Sequence, residues 1–305
     1  MSGKPALSFA EALESRAFAV EATLARLLDG RLLGGEIARP ARLLDAMRHG
    51  VLTGGKRLRP FLVMESAALF DADGEAALRV AAALECVHCY SLIHDDLPSM
   101  DNADMRRGRP TVHRAFDEAT AVLAGDGLLT YAFDILADEA TALPAPARLE
   151  LVLGLARAAG IGGMVGGQMF DLDAARRRPD EAGIVTLQAM KTGALIRYAC
   201  EAGAIAGRAD PADRERLAEF GTAIGLAFQL ADDLLDVTGD AAQMGKATGK
   251  DDGAGKATLV ALHGQDWTRR QLRGLVEQAR TLLEPFGDRA GLLVEAASFV
   301  AERRR

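Results

Sequence analysis

The sequence predicts an all-α fold built as one domain over residues 1–305. Three observations point there. Ala, Leu and Arg are abundant, with Glu among them, and these residues lose little on entering a helix. Apolar residues recur at helical spacing, and no segment alternates with β-branched residues as a half-buried strand would. Breaks rich in Gly, Pro and Asp separate the periodic segments, which run about 20 to 25 residues, longer than the mean helix.

The elements follow in order. Residues 1–8 read as a flexible tail, and "SFAEALESRAFAVEATLARLLDG" as a first helix with a Ser start and a Gly stop. Breaks come at "GRLLGGEIARP", "DADGE", "MDNADMRRGRP", "TALPAPA", "RRRPDEAG", "GRADPAD" and "TGDAAQMGKATGKDDGAGK". No change of composition marks a domain boundary, and no internal period appears. The glycines of "GIGGMVGGQMFDLD" sit inside a periodic segment, where each costs roughly 1 kcal/mol against Ala. Close backbone packing, a kink near a site or an ordinary loop would explain them.

The bulk numbers narrow the function. The chain is 49% hydrophobic and 26% charged, with net charge -7 and a pI near 5.4. That balance argues against a general nucleic-acid binder. No uninterrupted apolar run of about 18 residues suggests a membrane span. "MSGKPALSFAEALES" lacks the basic and apolar regions of a secretory signal. Three cysteines, Cys86, Cys89 and Cys200, fit a reducing cytoplasm better than a disulfide scaffold.

Two acidic clusters stand out. "SLIHDDLPSMDNADMRRGRP" sets Asp95, Asp96, Asp101 and Asp104 just before Arg106, Arg107 and Arg109. The preceding "AALECVHCYSLIHDD" is helical, so His88 and Asp95 share a face about 10 Å apart along the axis, with Ser91 between them and Tyr90 alongside. Carboxylates are unfavourable at a helix C-terminus, and adjacent like charges worsen this. Bound divalent cations would relieve both; a solvated acidic loop is the plainer alternative. In "FQLADDLLD", Gln229, Asp232, Asp233 and Asp236 fall on one stripe of an otherwise apolar helix. A buried acidic stripe needs cations.

Basic residues complete the pattern. "GGKRLRP" places Lys56, Arg57 and Arg59 beside two glycines that permit close approach of a ligand. Lys191 and Thr192 lie in the apolar "MKTGALIRYA", and Lys246, Lys250 and Lys256 follow the second acidic cluster. "GKDDGAGKAT" is not a P-loop: Ala257 stands where Ser or Thr is required, and no strand precedes it. "CVHC" has no second ligand pair, so buried structural cysteines outweigh a zinc site.

Together these residues resemble the trans-isoprenyl diphosphate synthase (polyprenyl synthetase) family over nearly the whole chain. "GGKRLRP", "YSLIHDDLPSMDNADMRRGRPTVH", "AGDGLL", "GGQMFDLD", "KTGALI", "FQLADDLLD" and "GKATLVAL" occur in the family's order. His49 and Gly50 depart from a common aromatic and serine. The similarity is greatest to the bacterial subgroup that makes farnesyl diphosphate, whose first motif carries the two extra residues of "DDLPSMD". The resemblance implies long, mostly antiparallel helices around a deep central cavity, the isoprenoid synthase fold, and a homodimer. It implies a prenyltransferase that condenses isopentenyl diphosphate head to tail with dimethylallyl or geranyl diphosphate. It further implies three Mg²⁺ ions, with Asp95 and Asp101 on one side, Asp232 on the other, and Asp96 and Asp236 in support. Arg106, Lys191 and Lys256 would grip the allylic diphosphate, with Thr192, Gln229 and Lys246 nearby. Lys56, Arg59, His88 and Arg107 would hold isopentenyl diphosphate. Tyr90, with Ser91 beside it, would limit the product to fifteen carbons. A geranylgeranyl diphosphate synthase is the main rival, and Tyr90 argues against it. A terpene cyclase would lack "GGKR", and a non-catalytic partner subunit would lose residues from these motifs.

Overall fold

A computed structural model describes residues 7–177, 179–238 and 258–302. Its described residues divide into two compact helical units. The first takes the described residues of Met1–Val152 with Ile205–Arg208, and the second those of Leu153–Ala204 with Ala209–Arg305.

The first unit holds α1 (Phe9–Leu27), α2 (Ala41–Val51), α3 (Leu58–Ala68), α4 (Gly74–Asp95), α5 (Val112–Ala115) and α6 (Glu118–Ala137). Ser8 caps α1 in a capping box with Glu11, so the first helix starts at the Ser of the sequence pattern. Asp73 caps α4 by accepting from the amides of Glu75 and Ala76. α4 is the spine: it packs against α1, α2, α3 and α6. Ala76, Ala81, Leu84, Val87 and Ile93 bury its apolar surface, and Phe61, Leu62, Leu128 and Ile135 close over it. Each large apolar side chain so buried contributes about 1.5–3 kcal/mol.

α7 (Ala145–Ala159) contains the division. The second unit continues with α8 (Met164–Arg177), α9 (Glu181–Gln188), a π-helical turn (Ala189–Gly193), α10 (Ala194–Ala206) and α11 (Pro211–Thr238). It ends with α12 (Leu259–His263), α13 (Gln265–Leu283), a 3₁₀ turn (Glu284–Ala290) and α14 (Gly291–Ala301). Its core includes Ile196, Tyr198, Phe220, Leu272, Leu283, Leu293 and Val300.

The all-α class stands, with three differences from the expected elements. The described helices are often shorter than expected: α2, α3 and α14 have 11 residues each, while α11 has 28. A two-stranded ribbon, Met105–Arg106 with Arg109–Pro110, turns the arginine-rich stretch back on itself. Its tip is Arg107 at φ 51 and Gly108 at φ 74, a left-handed turn that suits Gly. "MKTGALIRYA" begins as a π turn rather than an α-helix. By length and composition alone, Gly74–Asp95, Glu118–Ala137 and Ala145–Ala174 are long and apolar enough to cross a membrane, although the first is mostly buried in the protein.

Candidate active site

The sequence-predicted site residues fall in both units, and each group is described by itself.

In the first unit, α4 delivers His88, Tyr90, Ser91 and Asp95, and the chain beyond it folds back. The Asp101 amide donates to the Asp95 carbonyl at 2.9 Å, which returns the second aspartate to the end of α4. Asp96 caps the helix and is buried. Both its oxygens are taken by Arg106, whose Nε and Nη2 donate at 2.7 to 3.0 Å. This fork is the geometry that makes Arg–carboxylate pairs strong. Asp96 thereby aims Arg106, the first of the bases that follow the acids in the sequence. Burial opposes the Arg106 charge, but Asp96 outweighs it and holds the guanidinium protonated.

The basic group of this unit is gathered beside α4. Gly54 and Gly55 have φ 78 and 128, conformations that Gly alone adopts without strain. Arg107 Nη1 donates to the Gly54 carbonyl. A Cβ on Gly55 would lie 2.6 Å from the Arg107 guanidinium, so the glycine makes room for it. Burial, then the positive charges of Arg59 and Arg107, hold the His88 pKa well below the ordinary histidine value. Lys56 is exposed on the same loop. The Ser91 hydroxyl donates to the His88 carbonyl at 2.8 Å.

Tyr90 is buried and meets His94 edge to face, with ring centroids 5.7 Å apart. His94 Nε2 lies 3.0 Å from the Val122 carbonyl. This seat exists because residue 125 is Gly, where a Cβ would fall 2.1 Å from His94 Nε2. Burial, then Asp95, pushes the Tyr90 hydroxyl up to about 12. The unusual Gly50 also has a use, since a Cβ there would fall 2.5 Å from Ile93. It lets α2 pack closely on α4 two residues before Asp95. The neighbouring His49 Nε2 lies 2.8 Å from the Pro110 carbonyl, tying α2 to the ribbon.

In the second unit, glycines bring three segments into backbone contact. A Cβ on Gly167 would lie 2.2 Å from the Lys191 backbone nitrogen, and one on Gly225 would lie 2.9 Å from Gly193 Cα. So α8 and α11 both press on the π turn that carries Lys191 and Thr192. The cluster in "GIGGMVGGQMFDLD" is therefore a packing device at Gly166 and Gly167. Lys191 Nζ meets Asp171 of α8 at 2.5 Å. Thr192 donates to Gln229 Oε1 at 3.1 Å, and Gln229 Nε2 donates to Asp233 at 3.0 Å. Asp233 also accepts from Gln188 Nε2 at 2.8 Å. Asp232 and Asp236 lie more open on the same helix. Lys246, Lys250 and Lys256 lie outside the described residues.

Sequence reasoning missed several partners. Gln188, Glu85 and Glu21 carry no local signal, because each matters only through a contact distant in the chain; Asp171 lies in the quoted "GGQMFDLD", but its pairing with Lys191 shows only in the fold. Asp233 was seen on the acidic stripe, but only the fold shows it clamped between two amides.

No three described His, Cys, Asp or Glu side chains form a ready-made metal cage. Cys86, Cys89 and Cys200 are buried free thiols. The carboxylates still fit Mg²⁺. That ion takes hard oxygen ligands, binds one or two carboxylates, keeps waters and shares substrate phosphates rather than needing an all-protein cage.

Residues 40–283 match the family profile described as Polyprenyl synthetase. The chain belongs to the polyprenyl synthetase family. Among similar members is the farnesyl diphosphate synthase of Geobacillus stearothermophilus, 40% identical over 97% of this chain and 98% of that protein. A chloroplastic geranylgeranyl pyrophosphate synthase of Arabidopsis thaliana is 42% identical over 88% of this chain and 76% of its own length. The apo crystal structure of an FPP/GFPP synthase from Zymomonas mobilis aligns at TM-score 0.85 and 45% identity, covering 96% of this chain and 98% of the other. The family profile runs through both compact units.

Proposed function

We infer that the chain is a farnesyl diphosphate synthase, a prenyltransferase that condenses isopentenyl diphosphate with dimethylallyl or geranyl diphosphate. The observation that carries this is likeness over almost the full length to a farnesyl diphosphate synthase, in a chain whose aspartate motifs and "GGKR" loop are all present. Asp95, Asp101 and Asp232 would hold Mg²⁺, with Asp236 in support, while Asp96, expected beside them, has both oxygens engaged by Arg106. Bound Mg²⁺ supplies Lewis-acid stabilisation of the departing diphosphate.

The protein's own groups do the rest. Arg106, aimed by Asp96, and Lys191, aimed by Asp171, grip the allylic diphosphate as negative charge builds on it. Thr192 and Gln229 stand beside Lys191, and Lys246 and Lys256 belong to the same set by resemblance. Lys56, Arg59, His88 and Arg107 hold isopentenyl diphosphate. A neutral His88 keeps one ring nitrogen as a donor without adding to the crowd of positive charge. The isopentenyl double bond attacks the allylic carbon, and the released diphosphate takes the proton, so no protein base is required. A dry pocket keeps water from trapping the cation. Tyr90, beside Ser91, closes the space available to the growing chain and favours fifteen carbons over twenty.

The protein works as a cytoplasmic homodimer with no membrane-spanning helix in this reading. α6 exposes Val122 and Leu123, and α8 exposes Val165, Met169 and Phe170. Such apolar surface suits cover by a second copy. The test is diphosphate release from geranyl and isopentenyl diphosphates with Mg²⁺. EDTA and Asp95→Asn should each reduce it at least about 100-fold, the scale of losing a group that stabilises transition-state charge. Undiminished release in either case would overturn the metal assignment.

A further inference from the structure

The "GGKR" loop contains an arginine that does not face outward. Arg57 is fully buried and sits at the start of α3 with φ 48. A non-Gly residue held there is strained and persists only where its surroundings fix it. Arg57 Nη1 meets Glu85 of α4 at 2.5 Å, and Nη2 meets Glu21 of α1 at 3.0 Å. Nη2 also donates to the Val51 carbonyl at the end of α2, at 2.5 Å. One side chain thus ties the loop to three helices.

Stability alone is a poor reason for this arrangement. Well-packed apolar groups often replace a buried ion pair without loss, and such pairs are better attested as devices that fix one register. The register fixed here is that of residues 53–56. Arg57 pulls the loop inward from below, and Arg107 covers it at Gly54 and Gly55. Only Glu85 is a buried acid in the apolar run of α4, and it stands three residues before His88.

We propose that Glu85 and Glu21, acting through the buried Arg57, are positioning residues that set the Gly54–Lys56 loop to receive the diphosphate of isopentenyl diphosphate. The proposal rests on the function inferred above. The two carboxylates also offset the mutual repulsion of Arg57, Arg59, Arg106 and Arg107 around His88, which is felt before any anion binds.

The test compares Glu85→Gln with Glu21→Gln in the full chain. Glu21 is partly exposed, so its variant remains informative if Glu85→Gln does not fold. In steady-state condensation with geranyl diphosphate, KM for isopentenyl diphosphate should rise about tenfold, the scale of losing one charged hydrogen bond. KM for geranyl diphosphate and the product length should not change. An unchanged KM for isopentenyl diphosphate in a folded variant overturns the proposal. So does an equal loss toward both substrates, which a merely structural role would give. Calorimetric binding of inorganic diphosphate, with no starter present, separates this from the reading of function. If the wild type condenses no starter yet binds diphosphate about tenfold more tightly than the variant, the function fails and the positioning role stands. A wild type that binds no diphosphate overturns the positioning role.

Discussion

At the scale of single residues, each unit sets its candidate site residues in pairs, one member holding the other. Asp96 aims Arg106, Asp171 aims Lys191, and the Gln188 and Gln229 amides hold Asp233. Tyr90 is set in the same way, by His94 resting in the space left at Gly125. Truncating Tyr90 should therefore open room along α4, and Tyr90→Ala should shift products from farnesyl toward geranylgeranyl diphosphate. Sizing the dephosphorylated alcohols checks this, and an unchanged distribution would remove Tyr90 as the stop. The cysteines give a pH prediction. Burial, then Glu85, pushes the Cys89 thiol up to about 12 from an ordinary 9.0. A raised folded-state value means the native state holds its proton longer than the unfolded chain does. That stability is fully present below pH 9 and is lost as pH climbs toward 12. Cys89 should not react with a thiol reagent at pH 8 until the chain unfolds, and rapid labelling of native protein would contradict the burial.

At the scale of elements, helices were easier to foresee than their neighbours. The Ser8 cap, the end of α4 at the first aspartate pair and the acidic stripe of α11 follow from local rules of capping and period. The π turn at Ala189–Gly193 did not, because it arises where α8 and α11 crowd the same backbone. The ribbon at Arg106–Arg109 was hidden for a related reason: two short strands carry no periodic signal. The inward turn of Arg57 needed Glu21 and Glu85, 36 and 28 residues away, before it meant anything. Backbone crowding at the π turn gives a prediction of its own. In Gly167→Ala the new Cβ would meet the Lys191 nitrogen at 2.2 Å. α8 must then withdraw, costing about 1–3 kcal/mol as overpacking does. Urea unfolding should show that loss, and kcat should fall as Lys191 and Asp171 move. An unaltered unfolding midpoint would show the contact to be relaxed.

At the scale of the whole molecule, charge is sorted locally rather than globally. A chain of net charge -7 can handle anionic substrates because its bases are concentrated where phosphates are expected and its acids where cations are. The family was legible in the order of seven motifs, whereas the aiming contacts behind those motifs had to be seen. In the proposed reaction this chain builds farnesyl diphosphate with metal and basic side chains. The most direct measurement incubates purified protein with Mg²⁺, isopentenyl diphosphate and, in turn, dimethylallyl, geranyl or farnesyl diphosphate, then sizes the product alcohols. The account predicts farnesol from the two shorter starters and little use of the third. Geranylgeraniol as the main product would contradict the chain-length assignment, and no product from any starter would contradict the function.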